Sequence, residues 1–210
     1  MKKVLFFYCL LVANIVYSQS NWQEFKKLSC AEKTWTVFHI FKAKKAYLIA
    51  KEAQRVSDSV AKTPLLDGDK SGGQVDAFRH AYWMARLRQE IGKRAALKLG
   101  KAHEKSNYQQ YKKKQLEDGE NPDKISSEMD LFNNAIGVTY TEKGTPYPKS
   151  GLIYRIVNGI LAGDYRVIKK DQQRNYLTCD DKLISKKTLI GKWKNNKCLI
   201  KSNKHYLNKF

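Results

Sequence analysis

The sequence predicts a mainly α protein, a compact helical bundle with a small β-containing appendage at its C-terminal end. Apolar residues recur at helical spacing in most segments between residues 30 and 162. After Gly163 the pattern changes to short apolar runs between polar turns, which is typical of strands. We therefore expect a signal peptide at residues 1–18, a helical domain at residues 19–163, and a small lysine-rich, cysteine-containing module at residues 164–210.

The first residues of the chain have the pattern of a secretory signal peptide. Lys2 and Lys3 precede an apolar run at residues 4–16, and Ser18 is a small residue before a cleavage point near Gln19. The run is shorter than the ~20 residues that a membrane-spanning helix needs, which favours cleavage over anchoring. We expect an exported protein, whether periplasmic, cell-surface or extracellular, with no integral membrane segment in the mature chain.

The N-terminal part of the mature chain is predicted to be helical. Residues 21–27 are amphipathic, and Ser29 with Glu32 has the spacing of a capping box for the next helix. Residues 30–60 contain neither glycine nor proline and carry apolar residues at helical spacing. They are predicted to form one long helix or two, with a break near His39, which we interpret as a core histidine.

A loop at residues 62–73 leads to the central helix of the prediction. The loop contains Asp67-Gly68-Asp69, but the remaining ligands of a calcium-binding EF-hand are not in register, so this segment is a turn. The central helix is expected from about Gly73 to Ile91. Gly92 is expected to end it, and another helix is predicted from Lys93 toward Tyr111.

Two further helices and several short strands complete the prediction. Ser126 or Ser127 is expected to cap a helix that runs from Glu128 to about Val138. A second amphipathic helix is predicted from Gly151 to Ala162. Short β-like patterns follow at residues 165–168, 176–178 and 198–200.

Polar residues that are able to do chemistry lie in three clusters within apolar helix faces. The clusters are Asp76, Arg79 and His80; His103 and Glu104; and Asp130, Asn133 and Asn134. Asp76 and His80 share one face of a helix that is apolar on more than one side, so both are expected to be buried. Burial of such groups is costly unless they are paired or bind a metal. We therefore predict that the three clusters converge on one site.

Helix geometry predicts how the first two clusters meet. His80 and His103 each lie about three helical turns from Gly92, on either side of it. Two antiparallel helices joined at Gly92 would place the two imidazoles side by side, within ~10 Å of each other. Asp130 and Asn134 are expected to close the site from a third side.

A metal centre is one interpretation of this site. Asp76, His80, His103 and Asp130 offer imidazole nitrogens and carboxylate oxygens, which bind divalent ions such as zinc or manganese. In this interpretation Asn133 or Asn134 supports Asp130, and either His103 or Glu104 serves as a general base. Arg79 would hold a phosphate oxygen.

Two interpretations need no metal. In the first, His80 or His103 is a general base that Asp76 or Glu104 orients, and Arg79 stabilises developing negative charge. In the second, the same residues form a buried polar network that only holds the helices in register. The residues alone do not distinguish these interpretations from a metal centre.

Charge and cysteines add information on partners and compartment. The formal net charge is +20, and +18 after loss of Lys2 and Lys3, which predicts attraction to nucleic acid, anionic lipid or acidic glycan. Export permits disulfides, and Cys179 with Cys198 is the favoured pair because the two flank one short lysine-rich segment. Cys30 would then be left over, although a pairing that uses Cys30 stays open.

Three ordered motifs resemble a bacterial domain family. They are DAFRHAYW at residues 76–83, GKAHE at residues 100–104 and MDLFNNAIG at residues 129–137, and the resemblance covers roughly residues 30–163. Members of this family are mainly secreted proteins of unknown function, and similar motifs occur in polymorphic-toxin-like proteins. The resemblance implies an enzyme that hydrolyses a phosphodiester or another anionic polymer, with the residues of the three clusters as its site.

We expect a secreted hydrolase, with or without a metal, that acts on a phosphodiester in nucleic acid or phospholipid. His80, His103, Glu104 and Arg79 are its expected catalytic residues. The alternative is a secreted, non-catalytic binder of anionic polymers in which the buried polar residues are structural. A binder that acts through surface charge has no need of the three buried clusters.

Overall fold

A computed structural model describes residues 22–116 and 120–204, so the predicted signal peptide and its cleavage point lie outside the described residues. The fold is mainly α, as predicted. Residues 22–27 are helical. The helices that follow are α1 (Cys30–Phe38), α2 (Ile40–Val60), α3 (Gln74–Ile91), α4 (Lys93–Lys112), α5 (Lys124–Gly137) and α6 (Lys149–Ala162). Two short strands follow, β1 (Arg166–Ile168) and β2 (Leu199–Lys201).

The start of α1 and its separation from α2 confirm two local predictions. Ser29 accepts a hydrogen bond from the Glu32 backbone, and the Glu32 side chain accepts one from the Ser29 backbone, which completes the capping box. His39 lies between the two helices. Its Nδ1 is 2.9 Å from the Trp35 carbonyl oxygen and its ring stacks on Trp35. His39 therefore supports the chain at this corner.

The beginnings of α5 and α6 differ from the prediction. The capping residue of α5 is Asp123, whose Oδ1 accepts a hydrogen bond from the Ser126 backbone, so the helix begins at Lys124. The two serines lie within its first turns. The sequence offers three cap-forming residues in close succession, and the first of them caps the helix. Helix α6 begins at Lys149, directly after a proline, rather than at Gly151.

Helix α3 is the centre of the bundle and packs against α2, α4, α5 and α6. Its apolar side chains are buried, as the sequence predicted; they include Val75, Phe78, Tyr82, Met84 and Leu87. The closest approach to α5 is at Gly137. A Cβ atom at this position would lie 2.4 Å from the Ala81 carbonyl oxygen, so only glycine permits the contact. This contact presses α5 against the part of α3 that carries His80.

Gly92 ends α3, as predicted. Its φ of +89° is in the region that favours glycine, and the chain reverses there into α4. Helix α4 therefore runs antiparallel to α3 and packs against it.

The described part of the C-terminal module contains the small β structure that was predicted, with strands in two of the three expected stretches. Strands β1 and β2 pair antiparallel, with Val167 opposite Ile200. Residues 176–178 form only isolated bridges, because Tyr176 pairs with Lys170 and Leu177 with Leu183. Polar turns interrupt the ladder on both sides of these bridges. The domain boundary at residue 163 stays a prediction.

The predicted disulfide between Cys179 and Cys198 is confirmed, with a Cα–Cα distance of 5.0 Å. Cys30 is a free, exposed thiol. A structural disulfide indicates an oxidising environment, which fits the expected export. No helix in the described parts of the chain has the length and apolar character to cross a membrane.

Candidate metal centre

His80 is at the centre of the site, and both of its ring nitrogens face polar groups. Its Nε2 is 3.3 Å from Asp130 Oδ1 on α5 and 3.6 Å from Asp76 Oδ1 on α3. Its Nδ1 is 3.3 Å from the side-chain oxygen of Asn134, one turn after Asp130 on α5. The His80 side chain is buried. One imidazole is therefore enclosed by a carboxamide on one side and two carboxylates on the other.

The hydrogen-bonding roles of these atoms leave a place for a cation. Because the Asn134 oxygen only accepts hydrogen bonds, Nδ1 of His80 is the donor, and a neutral ring then presents its Nε2 lone pair to the carboxylates. Within the described residues, this Nε2 has no hydrogen-bond partner. Three electron-pair donors thus converge on one buried point. A metal ion or a proton placed there would give the buried Nε2 of His80 a partner.

The spacing of the three donors fits a metal ion. One ligand atom each from Asp76, His80 and Asp130 can be chosen so that all lie within 4.8 Å of one another. Two ligands at ~2.0–2.1 Å from a tetrahedral zinc ion are about 3.3 Å apart. The two distances from Nε2 of His80 are close to that value. Carboxylate and imidazole donors also suit manganese and iron.

Burial sets the ionisation of two of these groups. It lowers the pKa of His80 well below its ordinary value, and electrostatic interactions with Arg79 and His103 act in the same direction. Burial also raises the pKa of Asp76, although Arg79 and the Gly72 backbone oppose that shift. A neutral imidazole is the form that binds a metal.

Asp76 is held in place by two contacts besides His80. Arg79 Nη2 donates to Asp76 Oδ1 over 2.7 Å, and the Gly72 backbone donates to Asp76 Oδ2 over 2.7 Å. Contacts of this kind orient a carboxylate that binds a metal. Arg79 therefore lies next to the site, in direct contact with one of its three donors.

The predicted meeting of His80 and His103 is confirmed, since their ring centroids are 6.3 Å apart. His103 also packs against Trp83, at 5.6 Å. It is not one of the three closely spaced donors. Nδ1 of His103 is 3.3 Å from Glu32 Oε1. His103 therefore lies beside the site, bound to an acid from α1.

Sequence reasoning missed the contribution of Glu32. Its Oε2 completes the capping box of α1, while its Oε1 contacts His103, 71 positions along the chain. Burial acts to raise the pKa of Glu32, but hydrogen bonds from His103 and Ser29 outweigh it and the pKa is lowered. Glu32 is thus an ionised partner for His103. Its capping spacing was the only local signal, and that signal does not point to a second role.

The consecutive asparagines of the third motif have different roles. Asn134 contacts His80, whereas Asn133 binds the backbone of Arg166 in β1 through both its amide nitrogen and its oxygen. Asn133 therefore joins α5 to the C-terminal module. Glu104 is buried and accepts a hydrogen bond from Asn107, one turn later on α4.

Gly100, in the second motif, lets α4 approach the contact between His80 and Asn134. A Cβ atom at Gly100 would lie 3.2 Å from Asn134 Nδ2 and 3.5 Å from the sulfur of Met84. The first, second and third motifs therefore all contribute residues around the His80–Asn134 contact. Their convergence follows from helices α3, α4 and α5 packing on one another.

The site opens into a cavity of ≈ 880 Å³ between the N-terminal helices and the α3–α4 pair. Arg79, His80, Trp83 and His103 line one side. The facing side is largely apolar and includes Phe25, Leu28, Trp35, Ile40, Ala43, Ala46 and Tyr47. The polar groups are thus reached through a mostly apolar cavity.

Comparison with known proteins identifies a family but no characterised relative. A family profile described as "Domain of unknown function (DUF6973)" matches residues 33–163, a segment that contains all three motifs. No curated protein and no solved structure matches the chain. The link to secreted and toxin-associated proteins stays a prediction. The matched segment covers more than half of the sequence, and the chain belongs to this family of unknown function.

Proposed function

We propose that this protein is a metal-dependent hydrolase of phosphodiesters. The observation that carries the proposal is the convergence of Asp76, His80 and Asp130 on one buried point beside a large cavity. A divalent ion such as zinc or manganese held there would lower the pKa of a bound water and supply hydroxide near neutral pH.

The neighbouring residues have the chemistry to complete such a site. Arg79 lines the cavity and carries a guanidinium, which binds the oxygens of a phosphate. His103 lines the same cavity, and Glu32 holds its Nδ1, so proton exchange with a substrate would use Nε2. Glu32 would fix the tautomer and orientation of His103. Glu104 stays a predicted catalytic residue without a part in this proposal.

The cavity favours phospholipid over nucleic acid as the source of the phosphodiester. Its wall opposite the polar residues consists mostly of aliphatic and aromatic side chains of α1, α2 and residues 22–28, with Glu24, Lys27 and Lys44 among them. Burial of acyl chains against such a wall is favourable because it removes them from water. The wall offers few polar partners to a sugar–phosphate backbone. We therefore expect a substrate with an anionic head group and an apolar tail.

The large positive charge favours a second candidate, a non-catalytic binder of anionic polymers. Binding through surface lysines weakens steeply with salt because it depends on counterion release. It would also be insensitive to the loss of a buried histidine. Catalysis and charge-driven binding thus respond to different changes.

The test compares hydrolysis of phospholipid vesicles and of single-stranded nucleic acid by the purified protein, with zinc or manganese and with a chelator. We expect metal-dependent cleavage of the phospholipid. His80→Ala should reduce the rate by 10²-fold or more, and His103→Ala by about 10²–10⁴-fold. His39→Ala is the matched control, because His39 is neither one of the three closely spaced donors nor among the residues that line the cavity. Unchanged hydrolysis in both site variants would overturn the proposal.

Metal content supplies an independent test. Protein purified without an affinity tag should contain close to one equivalent of a transition metal by elemental analysis, and His80→Ala should contain much less. A protein that neither retains nor takes up a divalent ion, yet is folded, would refute the metal centre. The metal-free general-base interpretation would then have to explain any activity.

A further inference from the structure

An apolar corner projects into solvent where α1 ends and α2 begins. Phe41 is 100% exposed, Phe38 79%, Ile40 67% and Val37 64%. These four residues, here called the apolar corner, are interrupted only by His39, which holds the turn through Trp35. Exposed apolar side chains are common singly, but four of this size in five positions mark an interaction surface.

Lysines surround the apolar corner. Lys44 and Lys45 follow it on α2, and both are exposed. On the other side a shallow groove brings Phe38 and His39 next to α4 lysines; those lining the groove are Lys98, Lys101 and Lys105. Lys45 forms an ion pair with Glu90, and the nearby acid Glu32 is turned inward to His103. The surface is therefore basic on the side of the groove, where three lysines lie next to the corner.

We propose that the apolar corner docks this protein on an anionic lipid bilayer. Phe38, Ile40 and Phe41 would enter the boundary between head groups and acyl chains, while the surrounding lysines contact acidic head groups. A basic rim around exposed aromatic and aliphatic side chains is the composition of interfacial membrane-binding segments. Nucleic acid would use the lysines but would leave Val37 and Ile40 in water. The combination therefore favours lipid as the partner.

Docking through the apolar corner would also position the large cavity, because the corner and the cavity wall adjoin. Ile40 belongs both to the corner and to the wall of the large cavity, and Thr36, Ala43 and Lys44 line the cavity beside it. Docking would bring the cavity to the bilayer surface. The proposal rests on exposed side chains and not on the proposed hydrolysis, so it would stand if the protein proved to have no enzymatic activity.

The test is sedimentation of the mature protein, which we expect to begin near Gln19, with phosphatidylcholine vesicles and with vesicles that also contain phosphatidylglycerol. We expect binding to the anionic vesicles and little binding to the neutral ones. The double variant Phe38→Ser/Phe41→Ser should lower the partition coefficient about tenfold or more. The matched control is Leu183→Ser/Ile190→Ser, which removes two apolar side chains of similar exposure from the C-terminal module and should bind as the wild type does.

Separate variants test the role of surface charge in vesicle binding and the independence of binding from the proposed hydrolysis. Lys98→Glu/Lys101→Glu should weaken binding to anionic vesicles about tenfold, and Lys186→Glu/Lys187→Glu, on the C-terminal module, should weaken it less. His80→Ala should bind vesicles normally, which separates this proposal from the proposed hydrolysis.

Three results would overturn the proposal. The first is wild-type protein that does not sediment with anionic vesicles. The second is binding that survives Phe38→Ser/Phe41→Ser unchanged, because charge alone would then explain it. The third is an oligomer of the wild-type protein, seen by analytical ultracentrifugation, that Phe38→Ser/Phe41→Ser dissociates, because a second copy of the chain would then cover the corner.

Discussion

Two regions of this protein bury charged groups in different ways. Where the C-terminal module meets the helical part of the chain, Lys170 Nζ is 2.6 Å from Asp69 Oδ2, and Lys197 Nζ is 2.6 Å from Asp123 Oδ2. All four side chains are buried, and each acid has a lysine of its own. Around His80, two carboxylates meet an imidazole whose Nε2 has no hydrogen-bond partner in the described parts of the chain.

The difference separates a structural role from a functional one. A buried acid paired with a lysine is internally complete, so it can hold two segments together and needs nothing further. At His80 the Nε2 lone pair stays without a partner until a metal ion or a proton joins it, even though Arg79 already pairs with Asp76. Both arrangements contain buried polar residues, so burial alone does not mark a site. The balance of donors and acceptors does.

The largest effect should come from breaking a structural pair. Lys197→Met leaves Asp123 buried without its counter-ion, and we expect the free energy of unfolding to fall by about 3–5 kcal/mol. Urea unfolding of the oxidised protein measures it. Lys197 also lies over the Tyr176 ring, 3.8 Å from the centroid, and methionine keeps part of that packing.

A second variant tests the explanation. Lys197→Met/Asp123→Asn removes the remaining charge but keeps an oxygen that can cap α5, as Asp123 Oδ1 does. The double variant should be more stable than Lys197→Met alone. If the two unfold at the same urea concentration, the cost lies in lost packing and not in an uncompensated carboxylate.

The next-largest effect should come from metal binding at the site around His80. Zinc or manganese at about 100 times its dissociation constant should stabilise the native protein by about 2.7 kcal/mol, and a chelator should remove the gain. His80→Ala should abolish this stabilisation, because it removes the central donor. Thermal unfolding with and without metal measures both. His39→Ala should keep the full gain, and its loss there would assign the effect to unspecific binding.

The sequence predicted the meeting of the two histidines but not every neighbour. Counting turns on either side of Gly92 places His80 beside His103, because both helices are regular and glycine sets the reversal. Glu32 was assigned only a capping role, since that role explains its spacing and its contact with His103 depends on how α1 packs on α4. Local rules cannot supply a contact that tertiary packing decides.

The same limit applies to Asn133 and Asn134. Both were predicted to support the site, and adjacent helical residues differ by about 100° in direction, so both cannot face His80. The choice between them depends on the rotation of α5, which the contact between Gly137 and Ala81 fixes. That close approach between two backbones is a property of the packed bundle. The sequence shows the glycine, but it does not show that Ala81 packs against it.

The smallest predicted effect uses these two asparagines as a matched pair. Asn134 accepts from Nδ1 of His80 and so directs Nε2 toward the carboxylates. Asn134→Ala should weaken zinc or manganese binding about 10–100-fold, as loss of a hydrogen bond that orients a metal-binding histidine does. Asn133→Ala breaks two hydrogen bonds to the Arg166 backbone and should instead lower the free energy of unfolding by about 1–3 kcal/mol. Calorimetric titration with metal and urea unfolding separate the two outcomes. Equal metal affinity in both variants would mean that Asn134 does not orient His80, and the cation would then have to be bound through the carboxylates without a fixed imidazole.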